Sequence, residues 1–256
     1  MGGLGHYLER DGLATASISL IRLHTEKIRP PRALWVPFEL GRPLGVPHDA
    51  AFQSRVLQAT LDLFAEPEGP VLVDYPEDAP GSNAGDMEGL ACPIRFDTPA
   101  ATDETLEMAL LREIQELRPW YDLTHERRGR TTVGVTGLDI EEVARTLTSW
   151  LTLSPPSDVV NGQVPAAMLK LAVEDLKAFY FEAAAGQPQG DEIGSKQLAD
   201  WFWEETSAAK LFLALRERLI PNDDPALRLF GHNSVVPRVE WARFGIDDRW
   251  WHKPSI

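Results

Sequence analysis

The stretch from residue 39 to residue 49 carries the residue types best suited to holding a small molecule. Its two glycines, Gly41 and Gly45, let backbone approach a ligand closely, because a residue without a Cβ leaves room and adopts unusual dihedral angles. Between them, Arg42 offers a planar fork of N–H donors that fits a carboxylate or a phosphate. The N-terminus of the helix predicted to follow adds a partial positive charge. This stretch, called the ligand loop below, therefore predicts a site for a small anionic molecule.

The same residues have a second, purely structural interpretation. Short glycine motifs are common in tight turns, and this one matches no known fingerprint. The two glycines, together with Pro43 and Pro47, could serve only to shape a compact connection. Arg42 would then pair with the nearby Glu39 instead of with a ligand. Both interpretations stay open on the sequence alone.

Two histidines could supply acid/base chemistry beside the ligand loop. His24 and His48 each follow a predicted strand, and the two could meet at one edge of the sheet with Glu26 or Glu39. Such a group could transfer protons or hold a metal ion. The spacing matches no standard metal motif and no third ligand is evident, so no metal site is predicted. His24, His48 and Glu39 remain candidate catalytic residues, with two exposed loop histidines as the alternative.

Acidic residues gather after the third predicted strand. Asp74, Glu77, Asp78 and Asp86 could hold a hard cation such as magnesium, because carboxylate oxygens are its preferred ligands. In a protein this acidic, a solvated loop explains them more simply. The single cysteine, Cys92, has no partner thiol and is expected to be a packing residue.

The order of the strands and helices that must position these residues indicates an α/β fold with a small parallel-type sheet in the N-terminal half. Apolar, β-favouring runs at 16–21, 33–38 and 70–74 are separated by polar segments and by a helix predicted at about 50–65. In that helix Asp49 is the expected N-cap. Its expected core-facing residues are Phe52, Val56, Leu57, Leu61 and Phe64.

The rest of the chain is predicted to be predominantly α-helical. Helical periodicity predicts helices at 102–117, at 140–152, from about 166 to Gly186 and at about 195–220, while Pro119 is expected to start a new segment. A proline- and glycine-marked stretch beginning at Ser154 suggests a linker. The predicted domains are therefore 1–153, an α/β domain, and 154–256, a helical extension packed on it.

The helical half is unusually rich in tryptophan. Trp201 and Trp203 flank Phe202 on one predicted helix, and consecutive helical residues point in different directions. One of the two tryptophans is therefore expected to reach a second surface, such as a groove, a subunit or the N-terminal layer, and a buried seam between domains is favoured over a cofactor-binding pocket.

Composition narrows the possible partners. The chain has 39 acidic and 25 basic residues and a net charge of −14, which repels nucleic acid and anionic lipid surfaces. No apolar stretch is long enough to span a membrane, no signal peptide is recognisable, and a single cysteine fits a reducing compartment. We therefore expect a cytoplasmic protein that binds neither nucleic acid nor membranes.

The run GHYLERDGLATASISLIRLHTEKIRPPRALWVPFELGRPLG, residues 5–45, resembles the B-subunit family of the glycine, sarcosine, betaine and D-proline reductases, the selenoprotein B-like proteins. The resemblance is most specific over residues 5–75, and RPWYD at 118–122 and DWFWEET at 200–206 look like the helical extension of smaller relatives. In that family a selenocysteine or cysteine pair precedes the matching helix and cleaves a carbon–nitrogen bond. This sequence has no cysteine before Cys92 and so lacks that redox motif.

Two functions follow as hypotheses. The first is a reductase-like protein that binds a small anionic or amino-acid-like ligand in the ligand loop, with the thiol or selenol supplied by another chain. The second is a non-catalytic subunit, or a homo-oligomer, that docks a protein partner through its tryptophan-rich helical half. A metal-dependent hydrolase built on Asp74, Asp78 and His48 ranks behind both, and the sequence identifies no cofactor.

Overall fold

The structure, a computed structural model, describes residues 2–79, 104–152, 164–188 and 195–247. Contacts between Cα atoms divide the chain into two compact units, Met1–Gly89 and Leu90–Ile256. The sequence suggests a boundary at 153/154 instead. The difference arises because the two helices between residues 106 and 152 pack on the long helix that follows them, and so belong to the second unit.

The first unit is built on three short parallel strands. The strands β1 (Ser17–Ser19), β2 (Arg32–Trp35) and β3 (Val71–Asp74) lie in the order β1-β2-β3. Parallel neighbours need crossover connections, which here contain the helices α2 (Arg22–Ile28) and α3 (Ala50–Asp62). The helix α1 (Gly2–Arg10) precedes the sheet, and a 3₁₀ turn, Leu63–Ala65, follows α3.

The core of the first unit lies between the central strand and α3. Leu34 and Val36, from β2 and its continuation, are buried together with Phe52 and Val56 of α3. The prediction for the other apolar residues was wrong: Leu57 and Leu61 of α3 and Phe64 of the 3₁₀ turn are 44 to 55% exposed. Apolar residues form two adjacent stripes on this helix, and only the stripe of Phe52, Val56 and Thr60 is buried.

The second unit is helical. Its helices are α4 (Leu106–Arg128), α5 (Ile140–Thr152), α6 (Pro165–Gly186), α7 (Ser195–Glu205), α8 (Ser207–Leu219) and α9 (Pro225–Asn233), and a 3₁₀ turn, Arg238–Glu240, follows them. The predicted α/β fold class, with a small parallel sheet near the N-terminus and helices in the C-terminal half, is confirmed. Among the described residues, no helix combines the length and apolarity needed to cross a membrane.

Two helix boundaries differ from the predictions. Helix α4 continues through Pro119, where a new segment was expected. The proline removes one backbone donor, and the extensive packing of α4 on α6 keeps the helix continuous. Conversely, the single helix predicted at 195–220 is two helices, because Thr206 is extended and its side chain accepts a hydrogen bond from the amide of Ala209.

Buried acids on α4 and α6 connect segments that are distant in the sequence. Asp175 of α6, fully buried, accepts hydrogen bonds of 2.7 to 3.0 Å from the three successive amides at 134–136. Glu113 of α4 accepts hydrogen bonds from the Tyr180 hydroxyl at 2.7 Å and from the amide and hydroxyl of Ser207 at the start of α8. Burial raises the pKa of Glu113 despite these donors. Asp175 thus joins α6 to the segment 134–136, and Glu113 joins α4 to α6 and α8.

The tryptophans of α7 lie in the core of the second unit. Trp201 contacts the ring of Tyr180, and Trp203 contacts the rings of Phe212 and Phe244. Both indoles are at most 5% exposed. The expectation that one of them reaches a separate surface was therefore wrong, because rings from α6, α8 and the segment after the last 3₁₀ turn surround α7. Trp250 and Trp251, like Asp86 and Cys92, lie outside the described residues.

Candidate functional site

The carboxyl ends of the three strands meet at one edge of the sheet. Their last residues, Ser19, Trp35 and Asp74, are paired in register across the sheet. The central strand continues directly into residues 36–49, which contain the ligand loop. Ligands of open α/β sheets bind beside the carboxyl ends of the strands. The ligand loop therefore follows the edge at which a small-molecule site is expected.

Aromatic side chains anchor both ends of the segment that contains the ligand loop. The ring of Phe38, before the loop, lies 5.4 Å from the ring of Phe52, in the first turn of α3. Tyr75, after β3, contacts both rings with centroid separations of 5.8 and 6.1 Å. Burial raises the pKa of the Tyr75 hydroxyl, with Glu77 as a further cause. The loop is thus fixed at its base by a rigid core.

Within the loop, the two glycines have different surroundings. Both have positive φ, +91° at Gly41 and +83° at Gly45, in a region that glycine adopts without strain. A Cβ at Gly45 would lie 2.6 Å from the ring of Phe52, whereas a Cβ at Gly41 would meet no atom within 4 Å. Gly45 is therefore needed for packing and turn geometry, and Gly41 is open.

Arg42 lies between the glycines and is half-exposed. Its guanidinium Nη1 is 3.8 Å from Oε2 of Glu39, and the side chains are 53% and 37% exposed. A separation of 3.8 Å is too long for a hydrogen bond. A backbone hydrogen bond of 2.9 Å from Arg42 N to the Glu39 carbonyl holds the two residues in one turn. Opposite charges thus stand side by side on the loop surface.

The N-terminus of α3 does not contribute the free positive end that the sequence suggested. The side chain of Asp49 accepts a hydrogen bond of 2.9 Å from the amide of Phe52, which confirms its prediction as N-cap. Because this carboxylate already neutralises the helix end, a second anion would be repelled there. The attraction for an anion must come from Arg42.

The structure does not bring the two candidate histidines into hydrogen-bond contact with other site residues. His24 is exposed on α2, and His48 is exposed in the loop with a φ of +66°. Within the described ranges, neither imidazole makes a hydrogen bond or an ion pair. The same part of the chain contains no group of three or more His, Cys, Asp or Glu side chains arranged to hold a metal ion.

Sequence reasoning missed Arg22, which lies at the same edge of the sheet. Its Nε is 3.2 Å from both carboxylate oxygens of Asp74, and its Nη1 pairs with Glu26 on the next turn of α2. The sequence contained one indication of this pair, since Arg22 follows β1 and Asp74 ends β3, which places both at the carboxyl ends of parallel strands. Glu77 likewise pairs with Arg55 at 2.9 Å. Two of the acids proposed for a hard cation thus already have arginine partners.

Two open cavities of the first unit lie away from the ligand loop. One, of about 160 Å³, is found where α1 meets the beginnings of β1 and β2, beside the ion pair of the buried Arg32 and the partly exposed Glu9. The other, of about 220 Å³, lies between the end of α2 and the beginning of β3. Neither is lined by the candidate site residues His24, Glu39, Gly41, Arg42, Gly45 and His48.

In comparisons with known proteins, no family model, no curated protein and no solved structure matches this chain. The resemblance of residues 5–75 to the reductase B-subunit family therefore stays a prediction from the sequence.

Proposed function

We propose that the first unit binds a small anionic, amino-acid-like molecule at the ligand loop, with Arg42 as the anchor. The observation that carries the proposal is the half-exposed guanidinium of Arg42 in the loop that follows the central strand, with its nearest acidic partner 3.8 Å away. A carboxylate that approaches this guanidinium gains two parallel N–H···O bonds. An exposed ion pair of this kind is worth at most about 1 kcal/mol, so its rearrangement costs little.

The neighbouring Glu39 favours an amino acid over a simple carboxylate. Its carboxylate stands beside the guanidinium of Arg42, so the pair presents a negative and a positive group to one ligand. An amino-acid zwitterion carries the complementary charges, also close together. In this arrangement Arg42 binds the ligand's carboxylate and Glu39 accepts from its ammonium group. His24 and His48 remain proposed acid/base groups, because His48 is exposed in the loop itself and His24 is exposed in the first turn of α2, which follows β1.

The proposed chemical role follows the sequence resemblance. This sequence has a single cysteine, Cys92, and not the redox pair of the family that it resembles, so we propose that another chain supplies the thiol or selenol if the ligand is reduced. The protein would then be the substrate-binding component of a redox enzyme. The alternative of a partner that docks on the tryptophan-rich half has less support, because Trp201 and Trp203 are buried among rings of their own unit.

Calorimetric titration with glycine, sarcosine, betaine, proline and acetate tests the proposal. Arg42→Gln should weaken the binding of every ligand that binds by about tenfold or more, because a charge-assisted hydrogen bond contributes about 1.5–3 kcal/mol. Lys27→Gln, which removes a positive charge from an exposed position of α2, is the matched control and should have no effect. Glu39→Gln should reduce the preference for glycine over acetate. Equal affinities of Arg42→Gln and the unaltered protein would refute the site.

A further inference from the structure

Helix α3 and the 3₁₀ turn after it have a second apolar stripe, which lies outside the core of the first unit. We call it the outer stripe, and it consists of Ala50, Ser54, Leu57, Leu61 and Phe64. All five residues are exposed, and the large side chains Leu57, Leu61 and Phe64 are 45, 55 and 44% exposed. Within the described ranges, the Ser54 hydroxyl makes no hydrogen bond and the Phe64 ring contacts no other ring. A continuous apolar stripe at the surface is typical of a site of interaction.

The spacing of the outer stripe is that of a coiled-coil seam. Its members follow one another after four, three, four and three residues, an alternation that keeps them on one line along a helix. In the 3₁₀ turn three residues complete one turn, so Phe64 lies over Leu61. No member carries a charge, and the charged residues of α3, Arg55 and Asp62, both lie to one side of the stripe. The outer stripe is therefore suited to packing against a second helix.

The side chains of the outer stripe become larger from its beginning to its end. Ala50 and Ser54 come first, and the three large residues follow. Two parallel copies would place small residues opposite small ones and leave voids between them. Two antiparallel copies, related by a twofold axis midway between Leu57 and Leu61, place Leu57 opposite the partner's Leu61 and Ser54 opposite the partner's Phe64. Large and small side chains then face each other, as close packing requires.

The two charged residues of α3 fit the same antiparallel order. Arg55 and Asp62 lie on one flank of the outer stripe, two helical turns apart. In the register described above, Arg55 of each copy lies level with the partner's Asp62, and equivalent flanks meet because the copies are antiparallel. The present contacts of the two groups, with Glu77 and with Gln58, are exposed and leave both groups accessible. Charges at the rim of an interface contribute little affinity, but they favour the correct register.

We propose that two copies of this chain form a weak symmetric dimer in which their outer stripes pack antiparallel. The stripe is about 22 Å long, at about 1.5 Å per residue, and a helix face is about 10 Å wide. Such a face is smaller than the roughly 800 Å² that each partner buries in a standard interface. We therefore expect a dissociation constant of about 10–100 μM and not a permanent dimer. The dimer does not depend on a ligand at the ligand loop.

Sedimentation velocity of the full chain at concentrations from roughly 1 to 500 μM tests the proposal. Salt of roughly 0.3 M is needed, because the net charge of −14 makes two copies repel each other and salt screens this repulsion. We expect a reversible shift from monomer to dimer. Leu61→Glu should weaken the dimer tenfold or more, because it buries an unpaired charge in the interface. Leu229→Glu is the matched control, since Leu229 is 52% exposed on α9, and it should change the dissociation constant less than about twofold.

Thiol crosslinking with a short bismaleimide tests the antiparallel order, in a background in which Cys92 is replaced by serine. Gln58 lies beside the twofold axis, so the two thiols of a Gln58→Cys dimer should be crosslinked. The two thiols of an Ala50→Cys dimer should not be, because the antiparallel register separates them by about 27 Å. In a parallel dimer both variants would be crosslinked.

Three results would overturn the proposal: a chain that stays monomeric up to roughly 500 μM, equal association of Leu61→Glu and Leu229→Glu, or equal crosslinking of Ala50→Cys and Gln58→Cys. Circular dichroism and urea titration check that Leu61→Glu is folded, which we expect because this side chain is 55% exposed. A monomeric protein that Leu61→Glu destabilises would show that another part of the same chain covers the outer stripe, and the dimer would be refuted.

Discussion

Replacing Gly45 with alanine separates the packing role of the ligand loop from its conformational role. The new methyl group would lie 2.6 and 2.9 Å from two ring carbons of Phe52. That ring cannot move aside easily, because it is 1% exposed and contacts the rings of Phe38 and Tyr75. The positive φ of +83° adds backbone strain.

The expected cost has two parts. Holding a residue other than glycine in the left-handed region costs about 1–2 kcal/mol. Forcing an extra methyl group into a close-packed core costs about 1–3 kcal/mol more. Gly45→Ala should therefore lower the free energy of unfolding of the first unit by about 2–5 kcal/mol. Gly41→Ala, at a φ of +91° but with no atom within 4 Å of the new Cβ, should cost only the strain.

Hydrogen exchange measured by mass spectrometry at increasing urea concentrations is the suitable assay, because peptides of β2 and α3 report the first unit alone. Peptides of α6 report the second unit and serve as the internal reference. The Gly45→Ala variant should unfold at a clearly lower urea concentration than Gly41→Ala. If both variants lose the same free energy of unfolding, the ring of Phe52 does not exclude a side chain at position 45, and the close contact is not the reason for a glycine there.

Three further predictions concern the second unit. Asp175→Ala should lower the free energy of unfolding by about 3 kcal/mol or more in urea titrations, because three amides lose the charged acceptor that the fully buried Asp175 provides; a cost below about 1 kcal/mol would contradict this expectation. Burial would raise the pKa of Glu182, but the donors Thr131 and Thr132 outweigh it and lower the pKa below 4.5. The stability that this carboxylate contributes is therefore present above pH 4.5 and is lost as the pH falls through its folded pKa. The difference in free energy of unfolding between the unaltered protein and Glu182→Gln should therefore shrink on acidification. A difference that stays constant with pH would refute this assignment. Trp203→Ala should cost about 3–5 kcal/mol in the same titrations, whereas a surface tryptophan would cost almost nothing.

Local signals in the sequence predicted much of the fold. The β-favouring runs at 16–21, 33–38 and 70–74 contain the three strands of the described residues, and Asp49 caps α3 as its residue type predicts. These features depend on interactions within a few residues, which a single sequence contains.

Features that depend on tertiary packing could not be read from the sequence in the same way. On α3 the periodicity offered two neighbouring apolar stripes, and only the position of the sheet decides that Val56 is buried and Leu61 exposed. The continuation of α4 through Pro119 likewise requires packing that outweighs a local penalty of about 3 kcal/mol. The burial of both α7 tryptophans depends on rings that come from three other segments.

The candidate site likewise has some features that the sequence predicts and others that depend on tertiary structure. The glycine and arginine types of the ligand loop were visible in the sequence, and so was the position of the loop after a strand. The pairing of Arg22 with Asp74 joins residues 52 positions apart and depends on the strand order. The capping of α3 by Asp49 was predicted, but its consequence, that the helix end is already neutralised, became clear only with the hydrogen bond in place.

An NMR titration of the isotope-labelled protein with glycine tests the central claim most directly, because it locates the ligand instead of measuring only its affinity. We expect the amide signals of Glu39, Gly41 and Arg42 to shift saturably, and Arg42→Gln to remove these shifts. Shifts confined to other parts of the chain, or loop signals that stay unchanged at saturating glycine, would contradict the proposal that this loop is the binding site.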